Sequence, residues 1–186
     1  GCYGDGGAVF TDDDALATLL DSLRVHGKGT EKYDNVRIGT NSRLDTLQAA
    51  ILLEKLAIYS EEIEARNVVA TRYTQALHKC FKTPHVPRGY RSIWAQYTLQ
   101  SENRDKVMAC LKEAGVPSVV YYPRPLHTQS AYSGFRTDPV GLRVSELAAR
   151  HVFSLPMHPY LNEETQDKVI EALLAQSNHE DSARHV

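Results

Sequence analysis

A chain of 186 residues is long enough to bury a sizeable core, in one domain or in one domain with an appendage. Its 21 basic and 23 acidic side chains, net −2 and scattered along the sequence, exclude the basic footprint that nucleic acid or an anionic membrane surface would require. No apolar run approaches the roughly 20 residues that span a bilayer, the start Gly1-Cys2-Tyr3-Gly4 has no basic leader or apolar signal core, and Cys2, Cys80 and Cys110 are odd in number without metal-ligand spacing. The expectation is a cytoplasmic chain with no disulfide framework, no metal, no nucleic acid and no membrane.

Taken in chain order, Gly4-Asp5-Gly6-Gly7 reads as a turn, Ala8-Val9-Phe10 as a short strand, and Thr11-Asp12-Asp13-Asp14 as the cap of a helix over residues 13–25. Residues 26–40 lack periodicity and are expected to form an irregular loop. The strongest helical signal covers 42–78, one long helix with room for a kink. Its first half is apolar nearly all round (Ala49, Ile51, Leu52, Leu53, Leu56) and should be buried on several sides. Its second half, with Glu61, Glu62, Glu64, Arg66 and Arg72, should be buried on one. Pro84, Pro87 and Gly89 then mark a boundary. Beyond it the pattern predicts a strand over 93–99, a helix over 104–114 stopped by Gly115, a strand over 118–122, a helix over 140–150, a strand over 152–155 and a helix over 163–175. Residues 177–186 are polar and are expected to form a mobile tail.

Three stretches carry candidate chemistry. In Arg37-Ile38-Gly39-Thr40-Asn41-Ser42-Arg43 a glycine, an amide and a hydroxyl lead into the long helix, an arrangement suited to an anion because helix N-termini present unpaired amides. The alternative is that Asn41 or Ser42 only caps the helix while Arg43 pairs with a surface acid. In Tyr121-Tyr122-Pro123-Arg124-Pro125-Leu126-His127 a strand end delivers tyrosines, an arginine and a histidine into a proline-fixed loop, which either holds a ligand or merely stiffens a turn. His158, in Ser154-Leu155-Pro156-Met157-His158-Pro159, is either a ligand group or a loop histidine. No paired-carboxylate site, nucleophile elbow or phosphate loop appears, so these residues assemble no self-contained catalytic apparatus.

Taken together and in order, Gly1-Cys2-Tyr3-Gly4-Asp5-Gly6-Gly7-Ala8, Arg24-Val25-His26-Gly27, the run from Asn41 to Ala50, Tyr122-Pro123-Arg124-Pro125-Leu126-His127 and Ser154-Leu155-Pro156-Met157-His158-Pro159 resemble the DegT/DnrJ/StrS family of pyridoxal-phosphate-dependent sugar aminotransferases. The resemblance implies an α+β chain, an α/β remnant: the C-terminal small domain of an aspartate-aminotransferase-type transferase. Residues 1–41 would be a strand-helix remnant of the large cofactor-binding domain with its loop, 42–79 the long inter-domain helix, and 80–176 the small domain.

The family lysine that bonds to pyridoxal phosphate lies a few residues before the segment matching Gly1 to Gly7. Lys28, Lys32, Lys55, Lys79, Lys82, Lys106, Lys112 and Lys168 all fall outside that motif. The resemblance therefore implies pyridoxal phosphate in the full-length family, none held by this chain, and no catalytic residue of its own. It assigns Asn41 to the cofactor phosphate of a neighbouring subunit, and Arg43, Tyr121, Tyr122 and His127 to the nucleotide sugar, Tyr121 standing where the family commonly has histidine. The amino donor would be glutamate. A homodimer or higher homo-oligomer follows from a site shared between subunits. The competing expectation is a standalone binding module that pairs with itself or with a full-length relative.

Overall fold

A computed structural model describes residues 3–31 and 33–184, with side chains described to residue 176. The chain is mostly helical with one small antiparallel sheet, and it divides into two compact units, residues 1–60 and 61–186. The division falls inside the stretch expected to form a single inter-domain helix.

In the first unit, helix α1 (Asp14–Arg24) starts as the sequence indicates: the Asp13 carboxylate accepts from the Leu16 amide at 3.0 Å, satisfying one of the free donors of the first turn. The strand expected over 8–10 does not form. A strand needs a hydrogen-bonding neighbour, and no described segment of this unit supplies one; Phe10 is 90% exposed.

The loop over 26–40 is far more determined than its lack of periodicity suggested. Gly27 has φ +75°, and a side chain there would meet the Arg37 carbonyl at 1.9 Å. At Gly39 a Cβ would fall 2.2 Å from the Gly27 nitrogen. The two glycines thus let the loop fold back onto itself backbone to backbone.

Two helices replace the single one expected over 42–78. Helix α2 (Thr46–Ala57) and helix α3 (Tyr59–Leu77) are separated at Ile58. Helix α2 buries none of its residues, and Leu47 is 82% exposed, contrary to the burial its all-round apolar sequence predicted. The pattern specifies a buried helix, and the surface that would cover it is not among the described residues.

The second unit holds the core. One face of α3, formed by Val69, Ala70, Tyr73 and Leu77, is buried, as expected for its amphipathic half. Strands β1 (Tyr97–Gln100) and β2 (Val152–Leu155) pair antiparallel with Tyr97 opposite Leu155. Helix α4 (Arg104–Glu113) packs on β2 and on helix α6 (Glu163–Arg184), and helix α5 (Arg143–His151) runs directly into β2. Tyr73, Leu77, Tyr97, Leu99, Leu111, Phe153 and Leu173 form the core. Within it the buried Gln166 amide donates to the Val69 carbonyl at 2.8 Å, so the group is not left unpaired.

Only one bridge, Val119 to Ser154, survives of the strand expected over 118–122. Pro117 and Pro123 bracket that segment, and a proline has no amide to extend a ladder. The strand expected over 93–99 begins at Tyr97, because Trp94 adopts a left-handed φ of +50° that ends extended backbone before it. Helix α6 continues to Arg184, into the stretch read as a tail; the side chains from 177 and the last two residues lie outside the described residues. Among the described residues, no helix is long and apolar enough to cross a membrane and no cluster could hold a metal ion.

Candidate functional site

The first group of candidate residues is placed by the folded-back loop. The Thr40 amide donates to the Leu23 carbonyl at 2.8 Å, the His26 amide to the Thr40 carbonyl at 2.8 Å, and the Ser42 amide to the Arg24 carbonyl at 2.9 Å. Residues 40–42 are therefore strapped to the C-terminal end of α1, with Asn41 bridged to Val25. The Arg43 Nε donates to the Asn41 Oδ1 at 3.1 Å. With its oxygen taken, the Asn41 side chain has its amide hydrogens left to offer, beside the remaining guanidinium donors of Arg43.

The expected helix-capping geometry is corrected here. Asp45, not Asn41 or Ser42, stands at the N-cap of α2, and Ser42 Oγ instead bonds Thr40 Oγ1 at 2.7 Å. Asn41 lies four residues before that cap, so it is positioned by α1 and the loop. Arg43 pairs with Asn41 and not with a surface acid.

In the second unit, Tyr122 and His127 line one cavity of about 810 Å³, walled largely by Leu126, Tyr132, Phe135 and Leu142. The His127 Nε2 lies 3.2 Å from Glu146 Oε1 on α5. Arg124 is engaged in fixing the loop: its guanidinium donates to the Thr128 carbonyl at 2.5 Å, while Thr128 Oγ1 donates to the Pro125 carbonyl at 2.8 Å. These bonds meet the stiff-turn reading of this stretch. Tyr121 does not line the cavity that Tyr122 and His127 share; it joins Tyr122 and Arg124 in a pocket of about 390 Å³ and lines a further one of about 120 Å³ with Gln96 and Ser118. His158 is exposed.

Sequence reasoning missed Glu146, the partner of His127, and Gln96. Glu146 follows His127 by 19 positions, with no local pattern linking them. Gln96 lies in a segment that reads only as a strand, whereas the backbone two positions before it, at Trp94, adopts a left-handed φ of +50°.

The residues present fit the phosphate group of pyridoxal phosphate. The Asn41 and Arg43 donors suit a phosphate, since both offer N–H groups and Arg43 adds positive charge.

Comparison with known proteins gives consistent results. Residues 2–174 match the model of the DegT/DnrJ/EryC1/StrS aminotransferase family. The chain is 50% identical over 163 residues to the UDP-2-acetamido-2-deoxy-3-oxo-D-glucuronate aminotransferase of Pseudomonas aeruginosa, covering 87% of this chain and 44% of that protein. The crystal structure of a DegT DnrJ EryC1 StrS aminotransferase from Brucella abortus superposes with a TM-score of 0.92 at 56% identity, over 95% of this chain and 48% of that one. The crystal structure of S. venezuelae DesV, in complex with a ketimine intermediate, superposes with a TM-score of 0.89 at 35% identity, over 95% and 48%. The chain spans about half the length of the relatives it matches.

Proposed function

Because the chain belongs to the DegT/DnrJ/EryC1/StrS aminotransferase family, we propose that it serves as the C-terminal half of a pyridoxal-phosphate-dependent aminotransferase that moves an amino group from glutamate to a keto sugar carried on a nucleotide. The P. aeruginosa relative, whose name specifies a UDP-linked oxo sugar, supports that substrate class.

The observation that carries the reading is the Asn41–Arg43 pair. The bond between them leaves N–H donors side by side on a strapped loop, which is what a phosphate held across a subunit boundary needs. Asn41 binds the cofactor phosphate of a neighbouring subunit, and Arg43 contacts the nucleotide sugar. Tyr122 and His127 offer hydroxyl and imidazole groups to the sugar nucleotide from a largely apolar cavity, with Glu146 orienting the imidazole. When bound, pyridoxal phosphate supplies the electron sink for amino transfer. The lysine that receives it stands outside this sequence, so the chain alone does not turn over.

A homodimer or higher homo-oligomer is part of the same proposal. Phe10, Ile38 and Leu47 are almost fully exposed, and such an apolar surface favours association. The same surface favours the second reading, a binding module that pairs with itself or with a full-length relative.

The test is a titration of the purified chain with pyridoxal phosphate, followed by absorbance and then borohydride trapping. We expect no saturable adduct at any one lysine. Stoichiometric trapping at one of the eight lysines would overturn the assignment of an external lysine.

A further inference from the structure

Trp94 is a bulky residue held at φ +50°, a conformation that costs energy and persists only when its surroundings enforce it. Four contacts do so. Its indole N–H donates to Asn67 Oδ1 at 3.0 Å, its amide donates to Ser92 Oγ at 3.2 Å, its carbonyl accepts from the Arg66 guanidinium at 3.1 Å, and its ring packs against Tyr97 with centroids 5.5 Å apart. The same Arg66 nitrogen also reaches the Met157 carbonyl at 3.5 Å. Arg66 thereby ties together two segments, one leading into Ala95 and Gln96 and the other ending at Met157.

Ala95 and Gln96 of the first segment and Met157 of the second all line the 120 Å³ pocket. Gln96, Ser118 and Tyr121 are polar residues of its lining, and none of their side chains bonds another described residue. Pro117, Val119 and Met157 supply apolar wall. No charged side chain lines it. A carboxylate or phosphate would find no counter-charge there. A small neutral group with one acceptor, one donor and a methyl would find a match for each part, since the Gln96 amide both donates and accepts.

We propose that Gln96, with Ser118 and Tyr121, forms a subsite for the acetamido group of an N-acetylated hexose, and that Arg66 is a positioning residue that sets the distance between its walls. This rests on the reading that the chain serves a nucleotide-sugar aminotransferase, and it names the part of the sugar that the site recognises.

The experiment is a titration of the isotopically labelled chain with N-acetylglucosamine, read in ¹H–¹⁵N spectra. The side-chain amide signals of Gln96 are identified by their loss in Gln96→Ala, and glucosamine and glucuronate serve as controls. N-acetylglucosamine should move those signals saturably while the controls leave them in place. Gln96→Ala and the isosteric Gln96→Glu should each weaken binding roughly three- to tenfold, the loss of one or two neutral hydrogen bonds. Arg66→Lys, which keeps the charge but not the fork that reaches two carbonyls, should displace the Gln96 signals in the free chain and weaken binding over the same range.

Gln96 signals unmoved by N-acetylglucosamine, or wild-type affinity in Gln96→Ala, overturns the subsite. Wild-type spectra and affinity in Arg66→Lys overturn the positioning role. Amino transfer is assayed separately, so a chain that completes an aminotransferase yet leaves Gln96 untouched defeats this inference alone.

Discussion

The Tyr73 hydroxyl donates to the Pro156 carbonyl at 3.1 Å, linking the buried face of α3 to the segment that follows β2. Burial pushes the Tyr73 phenol far above its ordinary value of 10.0, with the nearby Tyr97 adding to the rise and Arg72 opposing it. Tyr97 is raised as well, chiefly by burial, while its bond to Thr74 pulls the other way.

The sign follows from proton counting. Above the ordinary tyrosine range the unfolded chain loses both protons while the folded chain keeps them, so stability is intact below about pH 10 and falls as pH rises beyond it. Urea unfolding midpoints should therefore hold up to about pH 10 and drop as pH rises beyond it. Tyr73→Phe should lower stability at neutral pH by about 1 kcal/mol through the lost hydrogen bond and flatten the alkaline slope. An unchanged slope in that variant would mean that Tyr73 does not report on the core.

Gly39→Ala places a methyl where the Gly27 nitrogen and the Leu23 carbonyl already stand. The strap between α1 and residues 40–42 must open to admit it. The expected result is a loss of about 1–3 kcal/mol in this unit, the usual scale for enforced backbone strain, with displaced amide signals for residues 40–43. Signals unchanged in that variant would show that the glycine contact does not place Asn41.

Leu173 and Leu47 carry the same side chain in opposite settings. Leu173 is fully buried in the core of the second unit, whereas Leu47 stands exposed on α2. Leu173→Ala should cost about 2–5 kcal/mol. Leu47→Ala should change the stability of the chain by no more than about 0.5 kcal/mol, yet reduce self-association in sedimentation velocity. Equal costs for the two, or sedimentation unaffected by Leu47→Ala, would contradict the role assigned to the apolar face of α2.

How much of this was legible in the sequence depends on how local the cause is. Helix α1 starts near its predicted bound because the Asp13 cap acts within a turn, and α4 stops near its own because Gly115, at φ +72°, follows it directly. The 8–10 strand and the burial of α2 were misjudged for one reason: their apolar patterns call for partner surfaces that no described segment supplies. The loop over 26–40 hid its order because it rests on the Gly27–Gly39 approach, a contact between residues 12 positions apart with no periodic trace. At the candidate site, the Asn41 and Arg43 motif was readable and their mutual bond was not. Tyr121 and Tyr122 are adjacent in sequence and share a pocket with Arg124, yet only Tyr122 lines the cavity that holds His127, which adjacency alone does not reveal.

The central claim, that this chain completes a nucleotide-sugar aminotransferase, is tested most directly by combining it with the half of the P. aeruginosa relative that it does not match. Amino transfer from glutamate to a UDP-linked oxo sugar would be followed with pyridoxal phosphate present. The account predicts transfer by the mixture, none by either half alone, and a marked loss when the mixture carries Asn41→Ala. Transfer by this chain alone would contradict it, as would a stable, cofactor-loaded complex of the two halves that transfers nothing.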